Sequence, residues 1–147
     1  MKNKKNAFTM IELVFVIVVL GILSAVAIPK FAATRTDAQI SKGRADIASI
    51  RSAIITERQS RLITGDPSYI SGINLNSGNL FGGVLNYGIT DSTDSGHWHS
   101  TGTDSNDSAT YDYNVAGTNV GFTYTRSPNG IFDCTTQADT YCSELTD

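Results

Sequence analysis

Apolar and polar positions along the chain fall into three regimes. From Phe8 to Ile28 the run is almost wholly apolar, with Glu12 its single charged residue. After Pro29 the apolar positions thin to a helical repeat: Ile40, Ile47, Ile50 and Ile54 recur at spacings of seven, three and four, with Ala38, Ala45, Ala48 and Ala53 beside them and Arg44, Arg51, Arg58 and Arg61 at more polar positions. Beyond Pro67 only short runs remain, some of them alternating. At about 1.5 Å per residue the first regime predicts a helix covering roughly 31 Å, close to the ~30 Å hydrocarbon core of a bilayer. The second predicts an amphipathic helix with one apolar stripe. Gly65-Asp66-Pro67 is a stop and turn signal. A helix of roughly 80 Å from Phe8 to Leu62 follows, greasy all round in its first half and on one side only in its second.

The isoleucine stripe needs a cover, and Ser68 to Asp147 must supply it. That stretch is rich in Gly, Ser, Thr, Asn and Asp, with strand-like runs at Thr110 to Val115 and Val120 to Thr125. Tyr111, Tyr113 and Val115 alternate, as do Val120, Phe122 and Tyr124, and Ala116-Gly117-Thr118-Asn119 between them reads as a hairpin turn. Phe81, Val84, Leu85, Tyr87 and Ile89 suit a short helix or a first strand. The predicted fold class is α+β: a long N-terminal helix with a small antiparallel sheet packed as a head on its C-terminal half. With 147 residues, the chain is sized for one small soluble domain once the apolar run is set aside.

Charge is distributed unevenly. Lys30 to Arg61 holds seven cations against three acids, whereas beyond Leu62 Arg126 is the one cation facing ten acids. An acidic head is poorly suited to phosphate, so nucleic acid is not an expected partner there, and a basic helix beside it permits attraction between copies. The two cysteines, Cys134 and Cys142, stand close together near the C-terminus. In an oxidising compartment they would staple a short loop, worth about 2–3 kcal/mol by chain entropy; two buried free thiols are the alternative. Zinc would require further ligands, and His97 and His99 lie far upstream.

Met1 to Asn6 is polar and basic, as befits an n-region ahead of the apolar run. Three readings of that run compete. Ala25-Val26-Ala27 offers an A-x-A site for an ordinary secretory signal, but the length of the run, Pro29 and Glu12 speak against it. A plain membrane anchor explains the length and leaves Glu12 unexplained, since a carboxylate at the centre of a span costs roughly 2.5–3.5 kcal/mol. The third reading rests on particular residues. Lys5-Asn6-Ala7, then Phe8-Thr9-Met10-Ile11-Glu12-Leu13 and an apolar run ending Ala27-Ile28-Pro29, resemble the N-terminus of the type IV pilin and type II secretion pseudopilin family.

The resemblance implies that a prepilin peptidase removes residues 1–7 by cutting between Ala7 and Phe8 and then N-methylates Phe8. The family carries Gly before the cut; Ala7 keeps a small residue there. The resemblance further implies that Glu12 attracts the N-terminal amine of a neighbouring subunit, and that the helix is weakened between Gly21 and Pro29, where it bends and melts on leaving the bilayer for the filament. Glycine and proline each destabilise a helix locally, which suits that role. Residues 8–29 are then the transmembrane and filament-core half, and residues 30–147 the head with its amphipathic helix to about 62. The implied partners are the peptidase, copies of the chain or related pilins, the inner-membrane assembly machinery and the membrane itself. The implied place is the bacterial inner membrane, single-pass with the head in the periplasm, and afterwards a periplasmic pseudopilus or an extracellular pilus.

Little else in the head suggests chemistry. His97-Trp98-His99 followed by Asp104, Asp107 and Asp112 is the one candidate metal cluster, and no EF-hand spacing is matched. Some pseudopilins of the resembled family hold calcium in a C-terminal loop, which makes Asp104, Asp107 and Asp112 the candidate ligands; no other cofactor is expected. There is no nucleophile elbow and no phosphate-cradling Gly-rich loop, so the chain does not read as an enzyme. Trp98 and the tyrosines read as core before they read as a sugar-binding surface. A structural filament subunit is the reading adopted, against the alternatives of an exported soluble domain or a plain membrane-anchored binding protein.

Overall fold

A computed structural model describes residues 8–102, 104–135 and 140–146. The chain divides into two units, Met1–Arg35 and Thr36–Asp147. Helix α1, Met10–Ile63, contributes to both. In the first unit the helix is continuous through Gly21 and Pro29, and none of the described side chains from Phe8 to Phe31 is buried.

The end of α1 follows from its sequence. Gly65 takes φ +89°, a left-handed conformation that glycine adopts without a Cβ penalty. It closes a Schellman motif in which the Asp66 N–H donates to the Arg61 carbonyl at 2.9 Å and the Gly65 N–H to the Leu62 carbonyl at 3.1 Å. Arg61 holds the turn from the helix side through Asp66 at 3.3 Å and Glu57 at 3.1 Å.

The second unit continues with α2 (Gly72–Leu75), β1 (Trp98–Ser100), β2 (Ser108–Val115), β3 (Thr118–Thr125), β4 (Ile131–Cys134) and α3 (Thr140–Thr146). The four strands form one antiparallel meander in the order β1-β2-β3-β4. The hairpin foreseen in the sequence is present but tighter. Pairing runs out to Val115 opposite Thr118, so the loop is only Ala116-Gly117, both at positive φ as a two-residue type I′ turn requires. The segment around Phe81 is neither helix nor strand. It is a looped excursion pinned by a bridge between Leu80 and Ile89, with Phe81 at φ +59° and its N–H donating to Asn76 Oδ1. Burial of the Phe81 ring among Trp98, Tyr111 and Phe132 holds it in this uncommon conformation.

Period-two alternation places Ala109, Tyr111, Tyr113 and Val115 of β2, Val120, Phe122 and Tyr124 of β3, and Phe132 and Cys134 of β4 on one buried face. That face joins Ile47, Ile50 and Ile54 of α1 in a single core, each of these isoleucines at most 2% exposed. Burying such a side chain contributes about 1.5–3 kcal/mol. Gly43 permits the close approach: a Cβ there would lie 2.6 Å from both the Tyr113 ring and Leu145. A polar seam fixes the register of helix on sheet. Tyr113 Oη donates to the Gln39 carbonyl at 2.7 Å, Arg51 Nε to the Phe132 carbonyl at 3.0 Å, and Trp98 Nε1 to Asp46 Oδ2 at 3.1 Å.

Asp46 gives this seam a pH dependence. Burial holds its carboxyl above the ordinary 3.8, outweighing the Trp98 N–H and the charges of Lys42 and His97, which favour the carboxylate. The folded state therefore keeps a proton where the unfolded chain has released it, so the group's contribution to stability is greatest below the unfolded value and declines as pH rises through the folded one. Asp46→Asn keeps an acceptor for Trp98 and removes the titration. Its melting temperature relative to the unmutated protein is expected to increase as pH is raised from about 3.5 to 6.5. Parallel profiles would contradict this role of Asp46.

Candidate functional site

The N-terminal segment is built from its own capping chemistry. Thr9 precedes the first helical residue, Met10, and Glu12 lies three residues on. The Thr9 N–H donates to Glu12 Oε2 at 2.9 Å, the Thr9 hydroxyl donates to the same oxygen at 2.7 Å, and the Glu12 N–H donates to Thr9 Oγ1 at 3.3 Å. This is a reciprocal capping box, which satisfies two backbone donors that a helix start otherwise leaves open. The carboxylate also stands at the positive end of the helix dipole. A Thr-x-x-Glu spacing ahead of an apolar run is a sequence signature of such a cap. It was open to the reading of the sequence, which attended to Glu12 as a charge and not to its spacing from Thr9.

Around the cap the surface is bare hydrocarbon. Phe8 is 82% exposed and Ile11 78%, and the exposure continues down the helix to Phe31. Helix α1 is long and apolar enough to cross a membrane. Ala7 lies outside the described residues. A Cβ added at Gly21 would meet nothing within 4 Å, and Pro29 sits inside the helix.

In the head, Cys134 and Cys142 form a disulfide with their Cα atoms 6.1 Å apart, tying β4 to α3. The carboxylates proposed for calcium are dispersed in their bonding. Asp104 Oδ2 accepts from Asn76 at 2.7 Å, and its Oδ1 is shielded without a partner. Asp112 stands on β2 and accepts from Asn119 at 3.4 Å, while Asp107 lines a cavity with Arg58 and Arg126, whose charges disfavour a cation. Among the described residues no group of three or more His, Cys, Asp or Glu side chains could hold a metal ion. His99 Nδ1 is 2.6 Å from Asp91 Oδ1, and Trp98 is wholly buried. The tyrosines of the sheet are core residues too. Burial pushes the Tyr113 and Tyr124 hydroxyls up to about 12 and raises Tyr111 as well, so all three act as neutral donors, to the Gln39 carbonyl, the Ile70 carbonyl and Asn76 Oδ1 respectively.

Comparison with known proteins bears on the same N-terminal segment. The family described as the prokaryotic N-terminal methylation motif matches residues 2–28. The type IV major fimbrial protein FimA of Dichelobacter nodosus is 30% identical over 150 residues, covering 95% of this chain and 94% of that protein. Two further FimA proteins of that organism are 38% identical over 56 residues, covering 38% of this chain and 36% or 35% of their own. No solved structure is matched.

Proposed function

The chain belongs to the type IV pilin family, and from that premise we propose that it is a structural subunit of a pilus filament. The observation that carries the reading is the bare helix of the first unit, capped by Thr9 and Glu12 and, Glu12 apart, almost wholly apolar from Phe8 to Ile28. A surface of that kind requires lipid or other copies around it. The relative matched along nearly its whole length is named a major fimbrial protein, which favours a pilus over a secretion pseudopilus and a structural role over a catalytic one.

The finer steps belong to the same proposal. Prepilin peptidase cuts between Ala7 and Phe8 and methylates the new terminus. Before assembly the chain is held single-pass in the inner membrane with its head outside the cytoplasm, where the disulfide can form. Glu12 then pairs with the N-terminal amine of a neighbouring subunit. In the lone chain one oxygen of its carboxylate, Oε2, accepts both the N–H and the hydroxyl of Thr9. In an apolar bundle an ammonium and a carboxylate each lose hydration, and their pairing offsets part of that cost. The segment from Gly21 to Pro29, helical in the lone chain, is proposed as the place where the helix gives way during transfer.

Two experiments test this. Mass analysis of the mature N-terminus is expected to find N-methylated Phe8; a mature chain starting at Ile28 would instead indicate an exported soluble domain and remove the filament reading. Filament yield is then compared in two variants that separate the cap from the charge. Glu12→Gln retains a capping-box acceptor and loses the charge, whereas Thr9→Ala loses the capping hydroxyl and retains the charge. Filaments are expected to fall to background in Glu12→Gln and to persist in Thr9→Ala. Unchanged yield in Glu12→Gln would show that the pairing charge is dispensable.

A further inference from the structure

Arg58 and Arg126 of the head pair with no carboxylate among the described residues, unlike Arg51 and Arg61 on the same helix as Arg58. Arg51 pairs with Asp133 at 3.0 Å, and Arg61 with Glu57 and Asp66. Arg58 and Arg126 instead line one cavity of about 290 Å³, with Ser68, Tyr69, Ser127 and Asp107 on its walls. Tyr69 orients both guanidiniums. Arg58 Nη1 donates to the Tyr69 hydroxyl at 2.7 Å with its guanidinium carbon 4.3 Å from the ring centre, and Arg126 Nε donates to the Tyr69 carbonyl at 2.8 Å. A guanidinium carries five N–H donors, and these bonds use one from each. Arg58 Nε is shielded from water and bonded to nothing. Arg126 is also the one cation beyond Leu62 in an otherwise acidic stretch, so its place beside Arg58 concentrates positive charge on this spot.

We infer that this cavity binds the carboxylate of a small hydroxylated acid of the sugar-acid class. The planar fork of a guanidinium matches a carboxylate, and two guanidiniums against the single Asp107 leave one net positive charge. That balance suits a monoanion and disfavours the dianionic forms of phosphate or sulfate. Asp107 supplies acceptors, and Ser68 and Ser127 supply hydroxyls, for the ligand's own hydroxyl groups. The volume stands at the small end of ligand pockets, about 300–1,000 Å³, which fits one sugar-sized unit rather than a chain of them. This inference goes beyond the filament role and does not depend on it, because binding is read on the unassembled chain.

The test is calorimetric titration of the full-length protein in detergent with sodium glucuronate, and in parallel with glucose and inorganic phosphate. One saturable site per chain is expected for glucuronate, with glucose and phosphate each roughly tenfold weaker or more. Arg126→Gln is expected to weaken glucuronate by roughly tenfold or more, while Arg35→Gln, outside the cavity, leaves it unchanged. Should Arg126→Gln fail to fold, Asp107→Asn decides: with the opposing charge gone, preference is expected to shift from glucuronate toward phosphate. The inference is overturned by the absence of saturable glucuronate binding up to about 20 mM. It is equally overturned by phosphate or glucose binding as tightly as glucuronate, by undiminished binding in folded Arg126→Gln, or by an unaltered preference in Asp107→Asn.

Discussion

Apolar helix surface must be covered, and the two units of this chain meet that constraint in different ways. In the second unit the stripe of Ile47, Ile50 and Ile54 on α1 is covered from within, by the sheet whose inner face carries Tyr113, Phe122 and Val115. In the first unit the described apolar side chains from Phe8 to Phe31 have no cover of their own. Sequence patterning makes the difference. A stripe of Ile47, Ile50 and Ile54 can be closed by one sheet, whereas a helix apolar on every side needs a surrounding medium, whether lipid or other helices.

The features of the head follow from covering a single stripe with few residues. Tyrosines contribute ring area to the core while their hydroxyls reach carbonyls at the edge, Tyr113 to Gln39 and Tyr124 to Ile70, so large aromatic faces are buried without stranding a polar atom. Gly43 has no side chain to hold Tyr113 of the sheet and Leu145 away from α1. The excursion between α2 and β1 is pinned at its neck by the Leu80 to Ile89 bridge, and the disulfide ties β4 to α3. The rest of the head surface is free to carry charge, including the paired guanidiniums at Tyr69.

Much of this was legible in the sequence wherever a period was sustained. The isoleucine spacing foretold both the amphipathic helix and the need for a sheet, and the alternation around Ala116-Gly117 located the central hairpin. Strands β1 and β4 span only three and four residues, too short to establish a period, and their pairing depends on partners far along the chain. Phe81 escaped assignment because a tertiary pocket, and no local preference, fixes its left-handed backbone. At the N-terminus the residues of the resembled family pointed to the segment, while the capping box was a local signature standing in plain view. The cavity at Arg58 and Arg126 had no signature at all: its residues come from the helix, the turn after it and the far ends of two strands, and only folding brings them together.

In the proposed filament, other copies must cover the first half of α1. Cysteine accessibility tests it directly, because the native thiols are already oxidised. Single substitutions Ile17→Cys, on the bare helix, and Tyr87→Cys, 92% exposed on the head, would be treated in intact filaments with a water-soluble maleimide. Labelling at position 87 with protection at position 17 is the predicted result. Equal labelling at both would contradict the claim, since it would leave the apolar helix facing water in the assembled state.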